Sequence, residues 1–77
     1  METKWVIRTE QEMKDKTFTN VYLKSFDEKT RGLSLVILIK DAKQFETKEN
    51  VLEQIKDIIK CKYYHHRPFV IDEVIWI

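Results

Sequence analysis

One cysteine, one glycine and one proline in 77 residues remove several architectures at once. A lone thiol, Cys61, cannot form a disulfide within the chain, which sets aside the stapled scaffolds that many very small domains use. One glycine cannot supply the phosphate-cradling loops of P-loop or dinucleotide type, which need two or three. No apolar run approaches the ~18 to 20 residues of a membrane helix; the longest, Leu35 to Ile39, has the length of a strand. Neither sign of charge dominates. Fourteen basic residues against thirteen acidic ones give a formal net charge of +1, which argues against a strongly basic nucleic-acid binder and equally against an acidic DNA mimic. The opening Met1-Glu2-Thr3-Lys4 shows neither an apolar signal core nor a cleavage site, so with its single thiol the chain is expected in a reducing cytoplasm.

What is present is a chain 35% charged and 43% hydrophobic, a balance that favours a folded domain over disorder. At this length a single domain buries roughly 60 to 65% of its unfolded surface. Its core rarely contributes more than about 3 to 5 kcal/mol net, and such chains often lean on oligomerisation.

Alternation marks the strands. Lys4 to Glu10 sets Trp5, Ile7 and Thr9 on one face against Val6, Arg8 and Glu10 on the other. The polar stretch Gln11 to Lys16 turns the chain. Thr17 to Phe26 follows, with Phe18, Tyr22 and Phe26 on one side and Thr19, Val21 and Leu23 on the other. A second turn falls at Asp27-Glu28-Lys29-Thr30-Arg31-Gly32, and Leu33 to Lys40 reads as a third strand. Val51, Leu52, Ile55, Ile58 and Ile59 then recur with helical period, opposite Glu49, Glu53, Lys56, Asp57 and Lys60. Thr47 is the expected N-cap, acidic Glu49 suits the helix start, and Ala42 and Phe45 are expected to pack at the strand-to-helix junction. Pro68 disfavours helical geometry at Arg67, and Phe69 to Ile77 reads as a last strand.

The expected fold is therefore α+β, ordered β-β-β-α-β: a three-stranded antiparallel meander, one helix on one face and a fourth, C-terminal strand. Joining the third and fourth strands through the helix implies that they run in the same direction with a right-handed crossover. Both of these strands are apolar on both faces, and one helix can cover only one side of a sheet. The surplus predicts a contact with another chain, a homodimer or a bound protein. The candidate positions are Val36 and Leu38 on the third strand and Val70, Val74 and Trp76 on the last.

Motifs for catalysis are weak. Cys61 and His65 lie four apart, but a closed zinc site needs four ligands and no second Cys/His pair exists, so Cys61 reads as a small packed hydrophobe. Asp72 and Glu73 are adjacent on a strand and point to opposite faces, which prevents their working as a paired acid and base. No cofactor and no catalytic activity are expected. Basic and aromatic residues interleave in Lys60, Lys62, Tyr63, Tyr64, His65 and Arg67, a set able to meet phosphates and stack on bases. The plainer reading makes this a basic helix end whose tyrosines cap the core.

The junction Asp41-Ala42-Lys43-Gln44-Phe45-Glu46-Thr47-Lys48-Glu49-Asn50-Val51, with the opening Lys4-Trp5-Val6-Ile7-Arg8 and the ending Val70-Ile71-Asp72-Glu73-Val74, resembles a pattern common in very small bacteriophage and prophage proteins. That resemblance implies an accessory binding protein in the host cytoplasm, of a class that includes inhibitors of CRISPR effectors, restriction enzymes and nucleotide-signal systems. It transfers no catalytic residue. The alternatives are a small nucleic-acid-binding regulator and a dimeric binder of a small nucleotide signal.

Overall fold

Alternating apolar residues on the longest strand organise the molecule. A computed structural model describes residues 2–61, 64 and 67–76, and in it β1 (Glu2–Glu12) occupies an inner position of the sheet. β2 (Phe18–Asp27) and β3 (Gly32–Val36) follow as hairpins, then α1 (Lys48–Ile59) and β4 (Val70–Trp76). The four strands form one antiparallel sheet ordered β3-β2-β1-β4, with α1 packed on one face, giving the expected α+β, β-β-β-α-β layout.

Two expectations about this layout are corrected. β3 and β4 sit on opposite edges and run in opposite directions, because each is separated from the other by successive antiparallel pairings through β2 and β1. The third strand also ends at Val36 rather than Lys40. Ile37 and Leu38 bend out of the sheet, exposed, and Ile39–Asp41 forms a single 3-10 turn closed by Asp41 N–H and Ala42 N–H donating to Leu38 and Ile39 carbonyls.

The helix-side face carries Ile7, Leu23, Leu35 and Ile71, with Ile7 set against Ile71 and Leu23 against Leu35. Ile7 and Leu23 are fully buried and pack with Phe45, Val51 and Ile58. Burying one such aliphatic side chain contributes roughly 1.5 to 3 kcal/mol. The helix begins as its sequence dictates, since Thr47 Oγ1 accepts from the Asn50 N–H at 3.2 Å. Only the middle of its apolar stripe is covered. Val51 and Ile58 are buried and Ile55 packs on the core, whereas Leu52 and Ile59 stay 46% and 41% exposed.

A β-bulge moves one aromatic to the other face. The β2–β3 register shifts between Leu23 and Ser25, so the alternation slips by one and Phe26 joins Leu33 on the core side with Val21 and Leu23. Phe18 and Tyr22 therefore share a face without Phe26.

β1 and β2 separate beyond the Arg8–Tyr22 pair, and a short segment fills the opening. Trp5 N–H donates to the Phe45 carbonyl at 3.0 Å and Phe45 N–H to the Trp5 carbonyl at 2.8 Å. Lys43 N–H bonds the Leu23 carbonyl at 2.9 Å. Strand backbone groups that would lack partners are thereby satisfied, and Phe45 enters the core as a wedge. Lys4 and Glu46 close the same seam with an ion pair, which raises the Lys4 ammonium above its usual range through that hydrogen bond.

Candidate functional site

Cross-strand register defines the uncovered face. Val36 pairs with Tyr22, Tyr22 with Arg8, and Arg8 with Val70, a row that crosses all four strands. It lies one residue away from the core row and therefore on the opposite side of the pleat. Val36 and Tyr22 are half-buried and Val70 is 41% exposed. Phe18, opposite Glu12 on the same face, is 65% exposed. Val74 is half-buried beside Lys4.

The face is mixed in character: Lys4, Glu10, Glu12 and Asn20 lie on it, and Arg8 and Asp72 form a charge pair near its middle. Arg8 Nε lies 2.8 Å from Asp72 Oδ2, too bent to be a hydrogen bond, and both side chains are about one-third exposed. In that setting the pair contributes at most about 1 kcal/mol to stability. Its position matters more. Val6, opposite Asp72 and flanking Arg8 two residues away, is fully buried although it lies on the face away from the helix.

The sequence-predicted contact positions thus divide. Val36, Val70 and Val74 share the open face. Leu38 lies beyond the end of β3 and belongs to the exposed bend. Trp76 stands opposite Glu2 in the register. Phe18, Tyr22 and Arg8 complete the face and were not singled out. The alternation in Thr17 to Phe26 carried the signal for Phe18 and Tyr22, obscured because the bulge at residue 24 is not marked by a glycine.

The basic-aromatic set has a different fate. Arg67 donates from Nε to Thr9 Oγ1 at 3.2 Å, and from Nη2 to the Glu10 carbonyl at 3.1 Å and to Gln11 Oε1 at 2.7 Å. Its guanidinium holds the connection after the helix against β1. Tyr64 directs its hydroxyl to the Arg31 carbonyl at 3.0 Å, and its ring meets Phe26 edge-on at 6.4 Å between centroids. Lys60 is exposed, 3.8 Å from Asp57. Lys62, Tyr63 and His65 lie outside the described residues, as do Met1, His66 and Ile77. Cys61 is buried, its N–H donating to the Ile58 carbonyl.

A cleft of about 350 Å³ opens between the β2–β3 turn and the helix end, lined by Phe26, Glu28, Arg31, Asp57, Lys60 and Cys61. Its two acids and two bases give mixed charge without a convergent pair of like groups. Among the described residues no three His, Cys, Asp or Glu side chains cluster in a way that could hold a metal ion. No described helix is long and apolar enough to cross a membrane. Neither a family model, nor a curated protein, nor a solved structure matches the chain.

Proposed function

We propose that the chain is a non-catalytic binding protein that works through the face of the sheet opposite the helix. The observation that carries this reading is the row Val36, Tyr22, Arg8 and Val70, in which three apolar or aromatic positions on three strands, half-buried or exposed, flank one charged side chain on the remaining strand. An aromatic and an arginine beside apolar side chains and ringed by polar ones is a composition that concentrates binding energy at protein interfaces. Continuous pairing across the four strands holds the row in place, so a partner meets a preformed surface and little ordering entropy opposes association.

The resemblance to small phage proteins supplies the partner class: a component of host defence, blocked by occlusion. A nucleic-acid regulator is less well supported, because Arg67 and Tyr64 are engaged within the molecule. A nucleotide-signal binder would need a deeper and more uniformly basic pocket than the mixed-charge cleft at the helix end.

The test is expression of the chain in hosts carrying a defined restriction or CRISPR system, with phage plating efficiency as the readout. Wild type is expected to raise plating at least tenfold in one such host. Val36→Lys, folded by circular dichroism, is expected to lose that effect. Unchanged plating in every host, or full activity of Val36→Lys, would overturn the assignment.

A further inference from the structure

The two edges of the sheet are built differently. β3 is five residues long and adjoins the bulge, features that blunt an edge against unwanted pairing. β4 is seven residues long, pairs with β1 at every position without a shift, and contains no proline, glycine or lysine. Among the described residues no strand lies beyond it.

Its free backbone groups can be assigned. Trp5 directs both N–H and C=O toward Phe45, so the Trp5–Glu73 pair is a non-hydrogen-bonded one. Glu73 therefore points its own N–H and C=O away from β1, and by the two-residue period Ile71 and Ile75 do the same. These three residues have side chains on the helix side of the sheet. There Ile75 is 56% exposed. The helix adds to this edge. Lys48 places Nζ 5.4 Å from the Trp5 ring, while Gln54 meets Lys43 on the other flank. Leu52 and Ile59 share the Lys48 flank, on the side of β1 and β4.

We propose that this edge is a self-association site, at which a second copy of the chain adds its own β4 antiparallel about a two-fold axis. The proposal stands independently of the open-face reading, since the contact lies at the rim of the sheet. A second copy is the occupant that always brings the matching unpaired edge, and its helix flank carries the same exposed leucine and isoleucine. Charge selects the register. Centring on Asp72 or on Glu73 would set two carboxylates directly opposite, which is unfavourable. Centring on Val74 sets Val74 against its counterpart and Glu73 across from Ile75 of the second copy. The product is an eight-stranded antiparallel sheet with both helices on one face.

The contact is small. In this register the five residues Asp72 to Trp76 pair, spanning about 17 Å, and the molecule is 17 Å deep along its shortest axis, so roughly 300 Å² is covered per copy. That is below the ~800 Å² per partner of a stable complex and fits a weak, concentration-dependent dimer.

Sedimentation equilibrium from about 1 to 500 μM is expected to show the weight-average mass rising from one chain toward two. Ile75→Glu, which sets a second carboxylate across from Glu73 of the other copy, is expected to raise the dissociation constant at least tenfold, and Val36→Lys on the open face to leave it unchanged. In a Cys61→Ala background, mild oxidation is expected to cross-link Val74→Cys much faster than Phe18→Cys, because opposed residues of a non-hydrogen-bonded pair lie within disulfide reach. A single-chain mass throughout the range would overturn the proposal. So would an unchanged constant for Ile75→Glu, or equal cross-linking of the two cysteine variants.

Discussion

The Tyr64 hydroxyl donates to the main-chain carbonyl of Arg31 at 3.0 Å, joining the connection after the helix to the turn between β2 and β3. Arg31 holds a left-handed backbone, φ 59°, so the tyrosine steadies a turn residue that has adopted a costly conformation. Removing the hydroxyl with Tyr64→Phe is expected to cost about 1 kcal/mol, seen as a lower urea midpoint at unchanged slope. Tyr64→Ala should cost about 2 kcal/mol or more, because the edge-on contact with Phe26 is lost as well.

Arg67 bonds three groups of β1 through two nitrogens, a geometry that depends on the planar fork of the guanidinium. Arg67→Lys is therefore expected to destabilise nearly as much as Arg67→Ala, by about 1 to 2 kcal/mol, since a single ammonium cannot occupy both nitrogen positions. Thr9, buried with its hydroxyl on Nε, should couple to it in a double-mutant cycle with Thr9→Val. Additive losses within about 0.3 kcal/mol would refute the coupling.

Lys16 closes the β1–β2 hairpin at φ 67° with its N–H on the Met13 carbonyl. A three-residue loop ending in a left-handed residue is the geometry that glycine adopts without strain. Lys16→Gly is expected to raise stability by about 0.5 kcal/mol, the relief of left-handed strain exceeding the added freedom of the unfolded chain. Thermal unfolding should show a midpoint a few degrees higher.

In the same turn, Asp15 Oδ1 accepts from the Thr17 hydroxyl at 2.6 Å and from its N–H at 3.1 Å, and these bonds hold the carboxyl below its usual range. A carboxyl whose folded pKa is depressed stabilises the fold above its unfolded value, near 4, and loses that contribution as pH falls through the folded value. The stability gap between wild type and Asp15→Ala should accordingly be constant from about pH 5 to 7 and shrink below about pH 4. A gap that stayed constant down to pH 2 would show that the charge plays no part.

Much of this fold could be read from local patterns. The Thr47 cap, the alternation Trp5, Ile7, Thr9 and the buried Ala42 and Phe45 each follow from neighbours within a few positions. What escaped depends on distant partners. The doubly apolar run Leu33 to Ile39 suggested one long strand, but the chain leaves the sheet at Val36, and its next segment delivers Phe45 between β1 and β2. The bulge that turns Phe26 inward carries no glycine to announce it. Arg67 looked like a surface cation near a helix end, and only the tertiary fold brings it to Thr9, 58 positions away in sequence. The open face was half legible: Val36, Val70 and Val74 were picked out as apolar surplus, whereas the register that joins them to Tyr22 and Arg8 was not encoded locally.

The wedge at Phe45 also bears on how the chain reaches this structure. Lys4 and Glu46, which close the seam, are 42 positions apart, so the gap between the first two strands seals only after a long loop has been drawn shut. The β1–β2 hairpin can zip from its turn within microseconds, yet its open end must wait for a segment that lies beyond β3. Sealing is therefore a late event on the folding route. Truncating Phe45 to alanine should chiefly accelerate unfolding while leaving the refolding rate nearly unchanged, the kinetic mark of a contact absent from the transition state.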